Sequence, residues 1–283
     1  CLIFNDKEHS LLLVELLSPQ KNDTLWTYTF EKETIIADGN FIDLDNDGFV
    51  DLVIIPKIIH IDDKKPWLYV FKGFQSTFSD EPLSCETTPL SFTSMRPSSL
   101  TITSDPSYPL GVFFASPTRK GMVFNIEIFD DRLKITDAKL LSNPKIGSGY
   151  GVVQMSSFST NKRDYISVIS AEDDSLHATI FDVNNDFSVL ESTTNFLNTG
   201  PLNLNTLPMA RISKNKSKDG LLLPIGTDHV LLLNIVDSSI LVSSTNTLKK
   251  DAFPTGSLNN LHSIMKSREN VVALKSLNTK LPN

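Results

Sequence analysis

Only two of the 283 residues are cysteine, Cys1 and Cys85, and only five are histidine. That scarcity excludes a disulfide framework and leaves no paired Cys/His spacing for zinc. The histidines, His9, His60, His177, His229 and His262, stand singly, and no H-E-x-x-H run is present. No nucleophile elbow and no triad can be assembled from the sequence. Glycine is sparse, at 12 residues; Gly39-Asn40-Phe41 and Ser148-Gly149-Tyr150-Gly151 lead into strand-like runs, and neither forms a phosphate-cradling loop before a helix. Basic runs are absent, and the formal net charge of −7 opposes a general nucleic-acid surface, which needs a basic stripe to neutralise phosphates. No stretch approaches 18 uninterrupted apolar residues, so the sequence contains no helical membrane span.

What the chain does have is apolar material in short recurring pieces. Hydrophobic residues make up 40% of it and include 17 phenylalanines, enough for a large core at this length. The pieces recur as an apolar strand, a polar hairpin and a second apolar strand. Leu52-Val53-Ile54-Ile55 is followed by a connection with Asp62-Asp63-Lys64-Lys65 and then Trp67-Leu68-Tyr69-Val70-Phe71. Gly111-Val112-Phe113-Phe114 is followed by Met122-Val123-Phe124-Asn125-Ile126, Tyr165-Ile166-Ser167-Val168-Ile169 by residues 176–181, and Leu221-Leu222-Leu223-Pro224-Ile225 by residues 229–235. Taking Leu52, Gly111, Tyr165 and Gly220 as equivalent, the intervals are 59, 54 and 55 residues. Repeats of this length made of short strands predict an all-β fold, a β-propeller of four-stranded blades.

Both ends of the sequence carry versions of the same unit. Cys1-Leu2-Ile3-Phe4 and residues 10–16 match the strand–hairpin–strand of the later copies, while Leu261-His262-Ser263-Ile264-Met265 and Val271-Val272-Ala273-Leu274 read as the first two strands of a further blade. About four complete blades and two partial ones are visible, which leaves a six- or seven-bladed ring open. Either the ends pair to close the ring, removing exposed sheet edges, or residues 1–283 are one propeller domain taken from a longer chain. The repeated end strands and the absence of a starting Met favour the second account.

The most specific stretch is Asp43-Leu44-Asp45-Asn46-Asp47-Gly48-Phe49-Val50-Asp51. Calcium takes six to eight oxygens at about 2.3–2.6 Å, and carboxylates at alternating positions around a turn glycine provide such a cage. Counting Asp43 as position one, Asp45, Asp47 and Asp51 fall at three, five and nine, Gly48 permits the turn, and the carbonyl of Phe49 stands at seven. Position twelve is Ile54, inside an apolar run, where an EF-hand would need a bidentate glutamate and a flanking helix. The loop therefore joins strands.

The run from Gly39 to Ile54 resembles the FG-GAP or VCBS-type repeat of integrin-α-like β-propellers, over about fifteen residues and one copy. The resemblance implies a structural calcium held by Asp43, Asp45, Asp47, the Phe49 carbonyl and Asp51. It also implies a non-catalytic protein-interaction or adhesion module whose blade loops meet a protein partner, and exposed loop residues such as Lys64, Lys65, Arg119 and Lys120 are the expected contacts. The corresponding loops at residues 156–164 and 211–219 keep only their last aspartate and admit lysine and arginine, so one calcium is expected.

Two other function classes stay open: a propeller enzyme or carbohydrate-binding protein with a site over the central channel, and a scaffold subunit of a larger intracellular complex. Calcium abundance favours an extracytoplasmic location, in the secretory lumen, at the cell surface or outside the cell. Cys1 suits three roles, as a lipid-bearing residue, a disulfide partner of Cys85 or an ordinary strand residue.

Overall fold

Every recurring apolar run named above that falls among the described residues is a strand. The computed structural model describes residues 2–5, 8–18, 21–30, 34–56, 59–60, 66–75, 77–85, 94–95, 97–114, 120–129, 131–141, 153–160, 163–172, 175–196, 210–212, 220–225, 229–236, 239–245 and 271–273. Within them the strands form five four-stranded sheets and two two-stranded pairs, Ile59–His60 with Ser94–Met95 and Gly73–Phe74 with Thr77–Phe78. Blade 1 takes Val271–Ala273, Leu2–Asn5, Ser10–Ser18 and Lys21–Thr29. Blade 2 takes Ile36–Ile42, Asp51–Pro56, Leu68–Phe71 and Leu83–Cys85; blade 3 takes Pro97–Ile102, Leu110–Phe114, Lys120–Phe129 and Arg132–Leu141. Blade 4 takes Val153–Thr160, Arg163–Glu172, Ser175–Asp182 and Ser188–Phe196, and blade 5 takes Ala210–Ile212, Gly220–Ile225, His229–Val236 and Ser239–Thr245. Blades 2 to 5 are antiparallel meanders whose strands follow one another in sequence order, blade 1 takes its first strand from the far end of the sequence, and the fold is a β-propeller. A 3-10 turn at Val183–Asn185 interrupts the strands, and among the described residues no helix is long and apolar enough to cross a membrane.

The two end fragments belong to a single sheet. Val271–Ala273 pairs antiparallel with Leu2–Asn5, with Phe4 opposite Val272, so it supplies the first strand of blade 1 rather than the second strand of another blade. Residues 261–265 lie outside the described residues. Residues 156–164 also differ from the loop expected there: Ser156 to Thr160 continue a strand that pairs Thr160 with Arg163 across a tight hairpin. The serines and threonines of that segment suit a pleated ladder as well as they suit a loop.

Burial follows the order of strands within a blade. The second strands of blades 2 and 3 carry the apolar runs 52–55 and 112–114 because both their faces are covered; Asp51–Pro56 and Leu110–Phe114 are buried at every position. The fourth strand of blade 3, Arg132–Leu141, is the opposite extreme, exposed or half-buried until Leu141.

The chain forms two compact units: residues 1–97 with 127–134 and 260–283, and residues 98–126 with 135–259. In the first, blades 1 and 2 face one another across Leu2, Phe4, Leu11, Trp26, Phe30, Ile36, Leu52, Ile54, Phe71 and Phe78. Trp26 meets Phe71 edge-on at 5.1 Å between ring centroids and Phe78 at 5.4 Å, the offset geometry that aromatic quadrupoles favour. In the second, Phe113, Val123 and Leu141 of blade 3 pack on Met155, Ile166, Val168 and Phe181 of blade 4. A buried hydroxyl ties those sheets: Ser99 Oγ accepts from the Met155 N–H at 2.9 Å and donates to the Met155 carbonyl at 3.3 Å.

Candidate metal centre

Residues 43–50 connect the first two strands of blade 2, and the curl of this loop depends on two left-handed residues, Asn46 at φ 56° and Gly48 at φ 90°. The loop closes on its own carboxylates. Asp43 accepts from the N–H of Asp47 at 3.1 Å and of Gly48 at 3.0 Å, while Asp47 accepts from the Phe49 N–H at 2.8 Å. Such Asx bonds give turn N–H groups partners that no strand provides.

Asp51 stands at the head of the second strand and is fully buried. It accepts from the Leu44 N–H and from the Gly73 N–H, each at 2.9 Å, and so joins the loop to the connection leaving the third strand. Gly73 is required there. A Cβ on it would lie 2.3 Å from the Val50 carbonyl oxygen, far inside van der Waals contact.

One carboxylate oxygen each from Asp43, Asp45 and Asp51 lies within 4.8 Å of the other two. Oxygens on opposite sides of a calcium ion stand about 4.6–5.2 Å apart, twice the usual bond length, so the trio is spaced to share one cation. Asp47 is outside it, with its carboxylate turned to Phe49. Phe49 itself is held through its N–H, and its ring is exposed.

The electrostatics match a shortage of positive charge. Burial pushes the Asp51 carboxyl above the ordinary 3.8; the Leu44 and Gly73 bonds partly oppose this, and Asp45 and Asp47 add to it. Asp45 Oδ2 pairs with the Lys72 ammonium at 3.0 Å, and this bond is the main reason the lysine is held above its ordinary value. Asp45 Oδ1 is buried and has no hydrogen-bond partner among the described residues. A buried oxygen without a donor is costly, and a divalent cation would satisfy it. By spacing, charge and donor type, the residues fit calcium.

Lys72 and Gly73 are the site residues that spacing along the loop does not reveal. They follow Leu68–Phe71, and antiparallel pairing of that strand with Asp51–Pro56, Leu52 opposite Phe71, returns the chain to the loop. A lysine and a glycine just after a third strand are the signal that could have found them. Among the described residues no histidine joins the carboxylate trio: His9 occupies a hairpin at φ 51° with Nδ1 at 3.1 Å from the Thr34 carbonyl, and His262 lies outside the described residues. Cys85 is buried in the fourth strand of blade 2, and Cys1 is outside the described residues, as are Lys64, Lys65 and Arg119. Lys120 opens the third strand of blade 3, half-buried.

The counterpart connection in blade 3, residues 103–109, closes without a carboxylate cluster. Thr103 Oγ1 donates to the Tyr108 carbonyl at 2.6 Å, and Asp105 accepts from the Ser107 N–H at 2.8 Å.

No family model matches this chain, and no curated protein matches it. Among solved structures it is similar to the Dos1 propeller, at 9% identity and a TM-score of 0.48 over 88% of this chain and 58% of that one. It is also similar to a crystal structure of the eukaryotic initiation factor, at 13% identity and a TM-score of 0.42 over 87% and 55%. The chain thus spans rather more than half the length of each.

Proposed function

We propose that this chain is a non-catalytic interaction module, a β-propeller in which a single calcium ion stiffens the 43–51 loop of blade 2. The observation that carries the metal is the grouping of Asp43, Asp45 and the buried Asp51, with one Asp45 oxygen that has no hydrogen-bond partner among the described residues. The resemblance of residues 39–54 to FG-GAP or VCBS-type repeats supports the same reading, with Asp47 and the Phe49 carbonyl completing the shell. Calcium would supply charge neutralisation: with it Asp51 stays ionised despite burial, and Asp45 no longer depends on Lys72 alone. Among the donors, the Asp43 and Asp51 carboxylates also fasten the loop backbone, which is why the role proposed for the ion is structural rather than catalytic.

The architecture supports interaction: packed sheets present connecting loops, the usual place for recognition. Abundant calcium outside the cytoplasm would keep the loop saturated, so an extracytoplasmic setting, including adhesion, belongs to the same reading.

The test is thermal. Calcium added in the millimolar range to chelator-treated protein should raise the melting temperature, because a ligand that binds only the folded state stabilises it by mass action. Asp45→Ala should abolish the rise. An unchanged melting curve for the unmodified protein, or an equal response to magnesium, would overturn the calcium reading.

A further inference from the structure

We propose that the loop end of blade 2, together with the neighbouring hairpin tip of residues 127–134, is a docking surface for a protein segment that presents an apolar anchor flanked by lysine or arginine. This rests on the reading of the chain as an interaction module and names the surface and the partner's chemistry.

In an antiparallel meander the connection between strands one and two lies at the same end as that between strands three and four. In blade 2 these are residues 43–50 and 72–82, and they are fastened together. Asp51 accepts the Gly73 N–H, Gly73 abuts the Val50 carbonyl, and the Ser79 N–H donates to the Lys72 carbonyl at 2.8 Å. Beside that fastening, Phe49 is 40%, Val50 36% and Phe74 50% exposed. Residues 127–134 belong to the same compact unit, and the charge of Asp131 acts on Lys72. That hairpin adds Phe129, at 70% the most exposed large apolar side chain among the described residues.

Single exposed apolar residues are ordinary, but a group of them is not. Half of the large apolar side chains that are exposed among the described residues gather here. Three are phenylalanines, which supply much contact area for little rotamer entropy. Phe49 and Phe74 stand on connections whose backbones are held by the Asp51, Gly73 and Ser79 bonds, and Phe129 ends a strand paired with Arg132–Leu141, so little ordering is needed on binding.

The surrounding charge selects the occupant. Asp47, Asp80, Glu81, Glu127 and Asp131 are exposed around these side chains; Arg132 and Lys134 are the exposed cations, and Lys72 is engaged by Asp45. The surplus is acidic, as is the chain as a whole at −7. Phosphate-bearing partners and anionic membranes are repelled. A second copy would set the same carboxylates against one another, since a twofold contact uses one patch twice. A basic segment with an aromatic or aliphatic anchor satisfies both features.

The probe is a random peptide library displayed on phage and selected against the full chain in millimolar calcium, followed by polarisation assays with the enriched peptides. Enrichment of Phe, Trp or Leu flanked by Lys or Arg is expected. Phe74→Ser and Phe129→Ser should each weaken binding by about tenfold or more, rising salt should weaken it further, and Val189→Ser should leave it unchanged. The two phenylalanines sit on separate hairpins, so misfolding of one variant leaves the other as a test. Enriched peptides that bind all variants equally would overturn this surface and leave the interaction reading standing; a library that yields no binder would overturn both. Self-association of the unmodified chain that Phe129→Ser abolishes would make a second copy the occupant and overturn the basic segment.

Discussion

Two glycines near Asp51 are constrained for different reasons, and the difference is measurable. Gly48 needs its positive φ, but a Cβ there meets nothing within 4 Å, so Gly48→Ala should cost about 1 kcal/mol. Gly73→Ala drives a methyl into the Val50 carbonyl and should cost more, about 1–3 kcal/mol, because backbone has to move. Urea unfolding of the two variants orders them; equal losses would contradict the close approach. A second residue-scale prediction concerns Asp137, whose carboxyl is held below the ordinary 3.8, chiefly by the Tyr108 hydroxyl donating at 2.6 Å and then by the Ala138 N–H. The folded carboxyl releases its proton more readily than the unfolded one. Whatever stability it contributes is therefore present above pH 3.8 and lost as pH falls through the folded midpoint. Carbon-detected NMR titration should show that midpoint move upward in Tyr108→Phe.

The elements legible from sequence were those buried on both faces. Residues 52–55 and 112–114 read as strands because nothing polar interrupts them, and they are fully buried in the structure. Phe113→Ala should accordingly cost about 3–5 kcal/mol in chemical denaturation, whereas Val189→Ser, at an exposed position, should stay within about 0.5 kcal/mol. The fourth strands escaped explicit recognition. Arg132–Leu141 mixes charge and aliphatic residues because it borders solvent, and its sheet partner determines its conformation more than its own pattern does. The candidate site divides along similar lines. Carboxylate spacing within residues 43–51 is local and visible, while Lys72 and Gly73 reach the loop only through antiparallel pairing of the second and third strands. Spacing also cannot tell where a side chain turns, and Asp47 counts as a ligand by position yet bonds the Phe49 N–H.

At the scale of the whole molecule, blade 1 draws its strands from both ends of the sequence. The shared apolar pattern of those ends was readable, but pairing partners far apart in sequence leave no local mark. A proline at position 272 removes a backbone donor opposite Phe4 and opposes the extended ladder. Val272→Pro should therefore lower hydrogen-exchange protection at residues 2–5 while sparing residues 163–172 of blade 4; uniform loss across both would instead indicate global destabilisation. The same pairing imposes a schedule on biosynthesis. Roughly 240 residues separate Thr29 from Val271, and at about 5–20 residues per second the ribosome needs on the order of ten to fifty seconds to make them. For that interval Leu2–Asn5 waits with one flank unpaired, beside apolar side chains such as Phe4 and Leu11 that are fully covered only in the finished fold. Leu2–Asn5 is thus completed only after the strands of blades 2 to 5 have been made, and the nascent chain carries an open sheet edge for chaperones to shield until Val271–Ala273 arrives.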